Sequence, residues 1–119
     1  MTNIRHTEPM VVKIVTNILK DNLISYKQEV DLGKYGRIDI SLGQFLGIEC
    51  KGSGSKKGKK SERINKQVEK YKNVFDNVWV IVQNKHSAGA LIIPQAEKII
   101  PVYEFDHYIP EIFNRMKYY

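Results

Sequence analysis

The sequence predicts an α/β fold in which helices pack on one mixed β-sheet, and two observations carry this prediction. Segments with apolar residues at helical spacing alternate with short apolar runs that are rich in β-branched residues. The run NVWVIVQ at residues 77–83 is continuously apolar, as expected for a strand that is buried on both faces. A chain of 119 residues fits one core, so residues 1–119 are assigned to a single domain.

The first element is a helix over residues 8–21. Thr7 is a typical helix N-cap, and the Glu8 and Pro9 that follow it favour a first helical turn. Apolar residues then recur at three- and four-residue spacing, which predicts a helix with one buried face.

A three-stranded meander and a second helix follow. The strand candidates are rich in β-branched residues and cover residues 24–33, 37–42 and 45–51. The second helix is expected to begin at an N-cap at Ser61 and to end near residue 73. With the buried strand at 77–83, these elements give the order α-β-β-β-α-β.

The C-terminal segment, residues 90–119, is predicted to hold two short strands and a helix, at residues 90–94, 99–105 and 108–119. Six of the twelve aromatic residues fall in the last seventeen positions. An aromatic patch left exposed on so small a domain would favour a homodimer, which we state as a hypothesis.

The positive charge is concentrated in one segment. The net charge is +6, and residues 52–72 contain eight basic and two acidic residues, which leaves eleven of each elsewhere. The GSGSKKGKK stretch within residues 52–60 predicts a flexible basic loop. A localised basic patch points either to nucleic acid as a partner or to a solvated lysine-rich face.

Composition excludes several other classes of protein. No apolar run is long enough to span a bilayer, and the first ten residues lack a signal-peptide pattern, so no membrane partner and a cytoplasmic location are expected. The one cysteine, Cys50, excludes an internal disulfide. One cysteine and three scattered histidines also lack the ligand spacing of a zinc site.

The stretch GRIDISLGQFLGIECKG places three charged side chains inside a predicted hairpin. If the turn is Gly43-Gln44-Phe45, Asp39 faces Glu49 across the two strands. Alternation then puts Asp39, Glu49 and Lys51 on one face of the sheet. The other face receives Ile38, Ile40, Leu42, Leu46, Ile48 and Cys50.

Two opposed carboxylates repel each other unless a proton or a cation lies between them. Hard oxygen ligands at this separation suit Mg²⁺, with Mn²⁺ as an alternative, and the main-chain carbonyl of Cys50 could add a further oxygen. A divalent cation lowers the pKa of water that it binds. Lys51 could orient that water, assist its deprotonation or neutralise the charge of the transition state. The alternative without chemistry is a hairpin with a polar outer face, on which Glu49 and Lys51 form a surface ion pair that contributes little to stability.

These residues resemble the core of the PD-(D/E)xK nuclease superfamily, which includes type II restriction enzymes and archaeal Holliday-junction resolvases. The likeness covers residues 8–83 and implies a restriction-endonuclease-like sandwich. RID corresponds to the metal-binding Asp39, and ECK corresponds to the metal-binding Glu49 and the catalytic Lys51. Ile38 stands in place of the family's proline.

The resemblance extends to two further positions. NKQVEKY is similar to the family's Gln-x-x-x-Tyr pattern, which adds Gln67 to the catalytic set and aligns Tyr71 with its tyrosine. Many members take another acid from the first helix, and Glu8 is the candidate here, either as a metal ligand or simply as an acid favoured by the helix dipole.

The resemblance implies a Mg²⁺-dependent endonuclease acting on DNA, and it leaves RNA open. Because we find no base-reading module, selection of a junction, flap or break is expected over sequence specificity. Six basic residues are predicted to contact the nucleic-acid backbone: Lys56, Lys57, Lys59, Lys60, Arg63 and Lys66. The alternatives are a non-catalytic nucleic-acid-binding module with the same fold and a small protein-interaction domain.

Overall fold

The computed structural model describes residues 6–52 and 60–117, which form a five-stranded mixed sheet flanked by helices. The helices are α1 (Glu8–Asp21), α2 (Lys60–Tyr71), α3 (Lys85–Ala90) and α4 (Ile109–Met116). The strands are β1 (Lys27–Asp31), β2 (Arg37–Leu42), β3 (Leu46–Lys51), β4 (Asn77–Val82) and β5 (Lys98–Pro101). Two 3₁₀ segments, Gly33–Tyr35 and Val102–Tyr108, complete the described elements. The predicted basic loop falls largely at residues 53–59, outside the described residues.

The strands follow their chain order across the sheet, from β1 at one edge to β5 at the other. β1, β2 and β3 form an antiparallel meander, whereas β3, β4 and β5 run parallel. Lys51 pairs with Val82, and Val82 pairs with Pro101, so the three parallel strands finish level with one another. Their carboxyl ends therefore meet at one end of the sheet, where ligand sites of α/β proteins commonly lie.

Apolar side chains cover both faces of the sheet. One cluster joins α1, the 102–108 segment and α4 to Ile48, Trp79 and Ile81. The other joins α2 and the chain around α3 to Val78, Val80 and Val82. β4 sends successive side chains into opposite clusters, which confirms the prediction of a strand buried on both faces.

The hairpin register agrees with the prediction for the pairs that the ladder contains. Ile40 pairs with Ile48, Ser41 with Gly47 and Leu42 with Leu46. The predicted side of Ile38 is wrong, because its side chain packs in the α2 cluster while Ile40 packs in the α1 cluster.

The neighbouring strand β1 is irregular at the same level. Gln28 pairs with Ile40 and Val30 pairs with Ile38, and between them Glu29 has a φ of 49°, in the left-handed region. A left-handed residue interrupts the regular alternation of β1, and Ile38 and Ile40 show that β2 is irregular at this level too.

Helix α1 begins and ends where the sequence predicted, and Thr7 caps it by accepting a hydrogen bond from the Met10 N–H. Helix α2 begins at Lys60, so Ser61 lies inside it and does not act as the N-cap. The Ser61 hydroxyl instead accepts a hydrogen bond from the Ile92 N–H.

The C-terminal segment departs from the prediction. Residues 90–94 are not a strand: α3 ends at Ala90 and irregular chain follows. The strand predicted at 99–105 is shorter, because β5 ends at Pro101 and a 3₁₀ segment takes over. The terminal helix is present as α4.

Among the described residues, no helix has the length and apolar character required to cross a membrane.

Candidate metal centre

Asp39 and Glu49 come together where β2 and β3 diverge. The backbone pairs of this ladder run as far as Ile40 with Ile48. Beyond them, the Cys50 N–H donates to Asp39 Oδ2 over 2.7 Å instead of to a backbone carbonyl. This hydrogen bond fixes the Asp39 carboxylate beside β3.

A third carboxylate arrives from the first turn of α1. One oxygen from each of Glu8, Asp39 and Glu49 lies within 4.8 Å of the other two. The three side chains differ in exposure, since Glu49 is only 5% exposed whereas Glu8 is 47% exposed. The cluster is therefore closed at Glu49 and open to solvent at Glu8.

The Lys51 amine lies beside this cluster. Lys51 Nζ is 3.1 Å from Glu49 Oε2 and 3.9 Å from Glu8 Oε1. It also donates to Gln67 Oε1 over 3.1 Å, so α2 holds the amine from the other side. The four predicted residues Asp39, Glu49, Lys51 and Gln67 are thus neighbours in the fold, and Glu8 joins them.

Burial makes the acids of this cluster hard to ionise. Burial, followed by the nearby Asp39 charge, raises the pKa of Glu49 to about 8. Burial also raises the pKa of Asp39, against the opposing effect of the Cys50 N–H. The pKa of Glu8 is raised by burial and then by Asp39. These shifts mean that the site favours either a proton or a cation.

One oxygen of Glu49 lacks a donor. Among the described residues, Glu49 Oε1 is buried without a hydrogen-bond partner. An ionised oxygen of this kind carries a large desolvation cost. A small cation on the carboxylates would remove that cost.

The donor set fits a hard divalent cation. Carboxylate oxygens are the ligands that Mg²⁺ and Mn²⁺ prefer, and three ionised acids with one ammonium leave a local charge of about −2. Glu8, Asp39 and Glu49 would hold the ion. The main-chain carbonyl of Cys50 stays a prediction, supported by the contact of the same residue's N–H with Asp39.

Other polar residues of the hairpin and its neighbours have structural roles. The Cys50 side chain is buried in the α1 cluster, and burial raises the pKa of its thiol, so it is unsuited to act as a nucleophile. The Tyr71 hydroxyl donates to the Arg37 carbonyl over 2.7 Å. Trp79 is buried, and its indole N–H donates to Glu97.

The predicted nucleic-acid contacts are only partly within the described chain. Lys56, Lys57 and Lys59 lie outside it. Lys60 donates to the Gly52 carbonyl over 3.4 Å, and burial followed by the Lys51 charge lowers its pKa. Arg63 and Lys66 are exposed on α2, and Lys66 is 3.7 Å from Glu62.

Two neighbours of the site are not among the residues predicted from the sequence. Gly52 follows β3 directly and lies against the backbone of Thr7 and Glu8. His6 is buried, with its ring nitrogen Nε2 2.5 Å from the Tyr103 hydroxyl. The glycine next to E-x-K was a usable signal, whereas nothing in the sequence links His6 to a residue 97 positions away.

Comparisons with protein-family models, with curated proteins and with solved structures gave no significant match to this chain.

Proposed function

We propose that this chain is a metal-dependent nuclease that hydrolyses phosphodiester bonds in DNA, with Mg²⁺ or Mn²⁺ held by Glu8, Asp39 and Glu49. The observation that carries the proposal is the convergence of these three carboxylates within 4.8 Å, with the Lys51 amine 3.1 Å from Glu49. A surface ion pair would explain Glu49 and Lys51 alone. It would not explain why two further acids come together with the buried Glu49.

The element order supports the same proposal. The described elements run α1, β1, β2, β3, α2, β4, which is the order shared with the PD-(D/E)xK nucleases that the sequence resembles. We propose on this basis that the sandwich is restriction-endonuclease-like. The residues that the resemblance selected are also the residues that meet at the cluster.

Each residue of the cluster has a chemical task in this proposal. The three carboxylates bind the cation, which would lower the pKa of a water molecule and offset phosphate charge. The Lys51 ammonium lies where it can orient a nucleophile or stabilise negative charge that develops on the phosphate. Gln67 fixes the direction of that amine through its side-chain oxygen.

The basic residues give the proposal its substrate. Arg63 and Lys66 are exposed on α2, the same helix that carries Gln67 to the cluster. Contacts from such residues to phosphates carry affinity without reading bases, which favours a structure-selective enzyme acting on junctions, flaps or breaks. A homodimer, with two such sites, is part of the proposal as the form that would cut two strands.

The test is cleavage of plasmid, linear, flap and four-way-junction DNA with Mg²⁺, with Mn²⁺ and with a chelator. We expect cleavage only with metal, and a loss of about 100- to 1,000-fold in Asp39→Asn and in Lys51→Met. Lys98→Met is a matched control, because Lys98 lies 3.5 Å from Glu111 in another acid–lysine pair, near the amino end of the parallel strands.

The outcomes separate the candidate functions. Parent-level cleavage by Asp39→Asn or Lys51→Met would refute the assignment of the site. Salt-dependent DNA binding without any metal-dependent cleavage would favour the non-catalytic binding module. Absence of both activities would favour the protein-interaction domain. Static light scattering at micromolar concentration tests the homodimer, which a mass of one chain would contradict.

A further inference from the structure

The N-terminal turn of α1 is held at three points, one after each parallel strand. Directly after β3, Gly52 lies against the backbone of Thr7 and Glu8. Directly after β4, Gln83 Oε1 accepts a hydrogen bond from the His6 N–H over 3.0 Å. After β5, the Tyr103 hydroxyl lies 2.5 Å from His6 Nε2.

The parallel topology explains why three distant segments meet there. Because β3, β4 and β5 finish level with one another, the residues that follow them lie side by side at one end of the sheet. The start of α1 crosses this end, and Glu8 is the first residue of the helix. Of the three clustered acids, Glu8 is exposed, Asp39 is partly buried and Glu49 is buried. Its carboxylate is therefore positioned mainly by where the backbone of this turn lies.

Gly52 leaves no space for a side chain. A Cβ placed on Gly52 would lie 2.2 Å from the Glu8 nitrogen, 2.5 Å from the Thr7 carbonyl carbon and 2.7 Å from the His6 oxygen. All three are backbone atoms, so no side-chain rotation can relieve the overlap. An ordinary contact begins near 3.4 Å, so the turn would have to move by about 1 Å.

We propose that Gly52 is a positioning residue for the metal centre: its missing side chain lets the first turn of α1 approach β3, which brings Glu8 to the cation as a third ligand. This inference rests on the proposed function. A movement of about 1 Å matters because metal–oxygen distances tolerate about 0.2 Å. Asp39 and Glu49 are held by the hairpin itself and would keep their places.

The experiment measures Mn²⁺ binding by titration calorimetry rather than activity. We expect Gly52→Ala to raise the Mn²⁺ dissociation constant by about 10- to 100-fold, close to the effect of Glu8→Gln. The double variant Gly52→Ala/Glu8→Gln should bind no more weakly than Glu8→Gln alone, because Gly52 acts through Glu8. Gly89→Ala is the matched control, since a Cβ there meets nothing within 4 Å, and it should bind like the parent.

A purely structural role for Gly52 predicts a different result. Chelator-treated Gly52→Ala would then unfold at a lower temperature, while its folded form would keep the parent affinity for Mn²⁺. That result would overturn the inference. So would a double variant that binds about tenfold more weakly than Glu8→Gln, because the effect of Gly52 would then bypass Glu8.

A second variant keeps the inference testable if Gly52→Ala does not fold. Tyr103→Phe removes the hydroxyl that contacts His6, and Tyr103 is 52% exposed, so the variant should fold. We expect weaker Mn²⁺ binding in this variant, and no further weakening when Glu8→Gln is added. Parent-level Mn²⁺ binding by Glu8→Gln would overturn the inference in that case, because Gly52 is proposed to act through Glu8.

Different results would refute the proposed function and the role of Gly52. If the parent does not bind Mn²⁺, or if Asp39→Asn binds like the parent, the metal centre itself is refuted. If Asp39→Asn abolishes binding while Gly52→Ala and Glu8→Gln bind like the parent, the metal centre stands on Asp39 and Glu49, and the positioning role of Gly52 is refuted.

Discussion

The metal-free protein should lose stability as the pH rises, and Glu49 should be the main cause. The pKa of Glu49 in the folded chain is raised from 4.5 to about 8. An acid with a raised folded-state pKa holds its proton more tightly when folded than when unfolded. Its contribution to folding is therefore complete below about pH 4.5 and is lost as the pH rises through about 8.

The size of this effect follows from the shift. The difference between 4.5 and about 8 is about 3.5 pKa units, which corresponds to about 5 kcal/mol at about 1.36 kcal/mol per unit. Domains of this size have free energies of unfolding of about 5–15 kcal/mol, so the loss is a large part of the total. The raised pKa values of Glu8 and Asp39 act in the same direction.

Glu49→Gln isolates the effect, because glutamine keeps the shape of the side chain and removes its charge. In chelator, we expect the variant and the parent to have similar free energies of unfolding near pH 4.5. At pH 9 the variant should be more stable by several kcal/mol, up to about 5. Urea unfolding followed by circular dichroism, at steps between those pH values, measures the difference.

The control is Glu62→Gln, whose glutamate is exposed on α2 and paired with Lys66, and which should keep the pH dependence of the parent. Excess Mg²⁺ should stabilise the parent at pH 9 and leave Glu49→Gln nearly unchanged, since binding to the folded state raises stability. Parallel pH curves for the parent and Glu49→Gln in chelator would refute the reasoning.

Three further predictions concern the residues around the site. Gln67→Leu removes the acceptor of the Lys51 amine, so metal-dependent cleavage should fall about tenfold while Mn²⁺ affinity is kept; equal cleavage rates would contradict this. Gly47→Ala would place a Cβ 2.6 Å from a neighbouring isoleucine side chain, so urea unfolding should show a loss of about 1–3 kcal/mol, and an unchanged midpoint would argue against it. For the double variant Arg63→Ala/Lys66→Ala, the plot of log binding constant against log salt for duplex DNA should be less steep by about 2, as measured by filter binding. A variant with the same slope as the parent would exclude both contacts.

The hairpin was predictable because its determinants are local. A turn of three residues and the two-residue period of strands fix the partners of β2 and β3, so the approach of Asp39 to Glu49 follows from their spacing. The helical start at Thr7 was likewise local, since the cap and the first turn lie within four residues. The hairpin signal puts Asp39, Glu49 and Lys51 together, and the helical start puts Glu8 in the first turn of α1.

The remaining features depend on contacts between distant parts of the chain. Ile38 packs on the opposite side of the sheet from Ile40, beside the left-handed Glu29 of the neighbouring strand, and neither residue type gives a sign of this irregularity. Residues 90–94 are predicted as a strand because a short apolar run does not distinguish a strand from irregular chain, and here Ile93 is buried whereas Ile92 is 76% exposed. Helix α3 was not predicted, although Asn84 caps it by accepting a hydrogen bond from the Ser87 N–H, which is a local signal in the sequence.

The first strand also limits how the protein can assemble. β1 is an outer strand of the sheet, and its sequence, KQEVD, is mostly charged and exposed. The left-handed φ of Glu29 interrupts the regular row of hydrogen-bonding groups that an incoming strand would need. Charges and irregular geometry of this kind discourage the addition of further strands. Self-association by extending the sheet across this border, whether into an ordered pair or into fibres, is accordingly disfavoured.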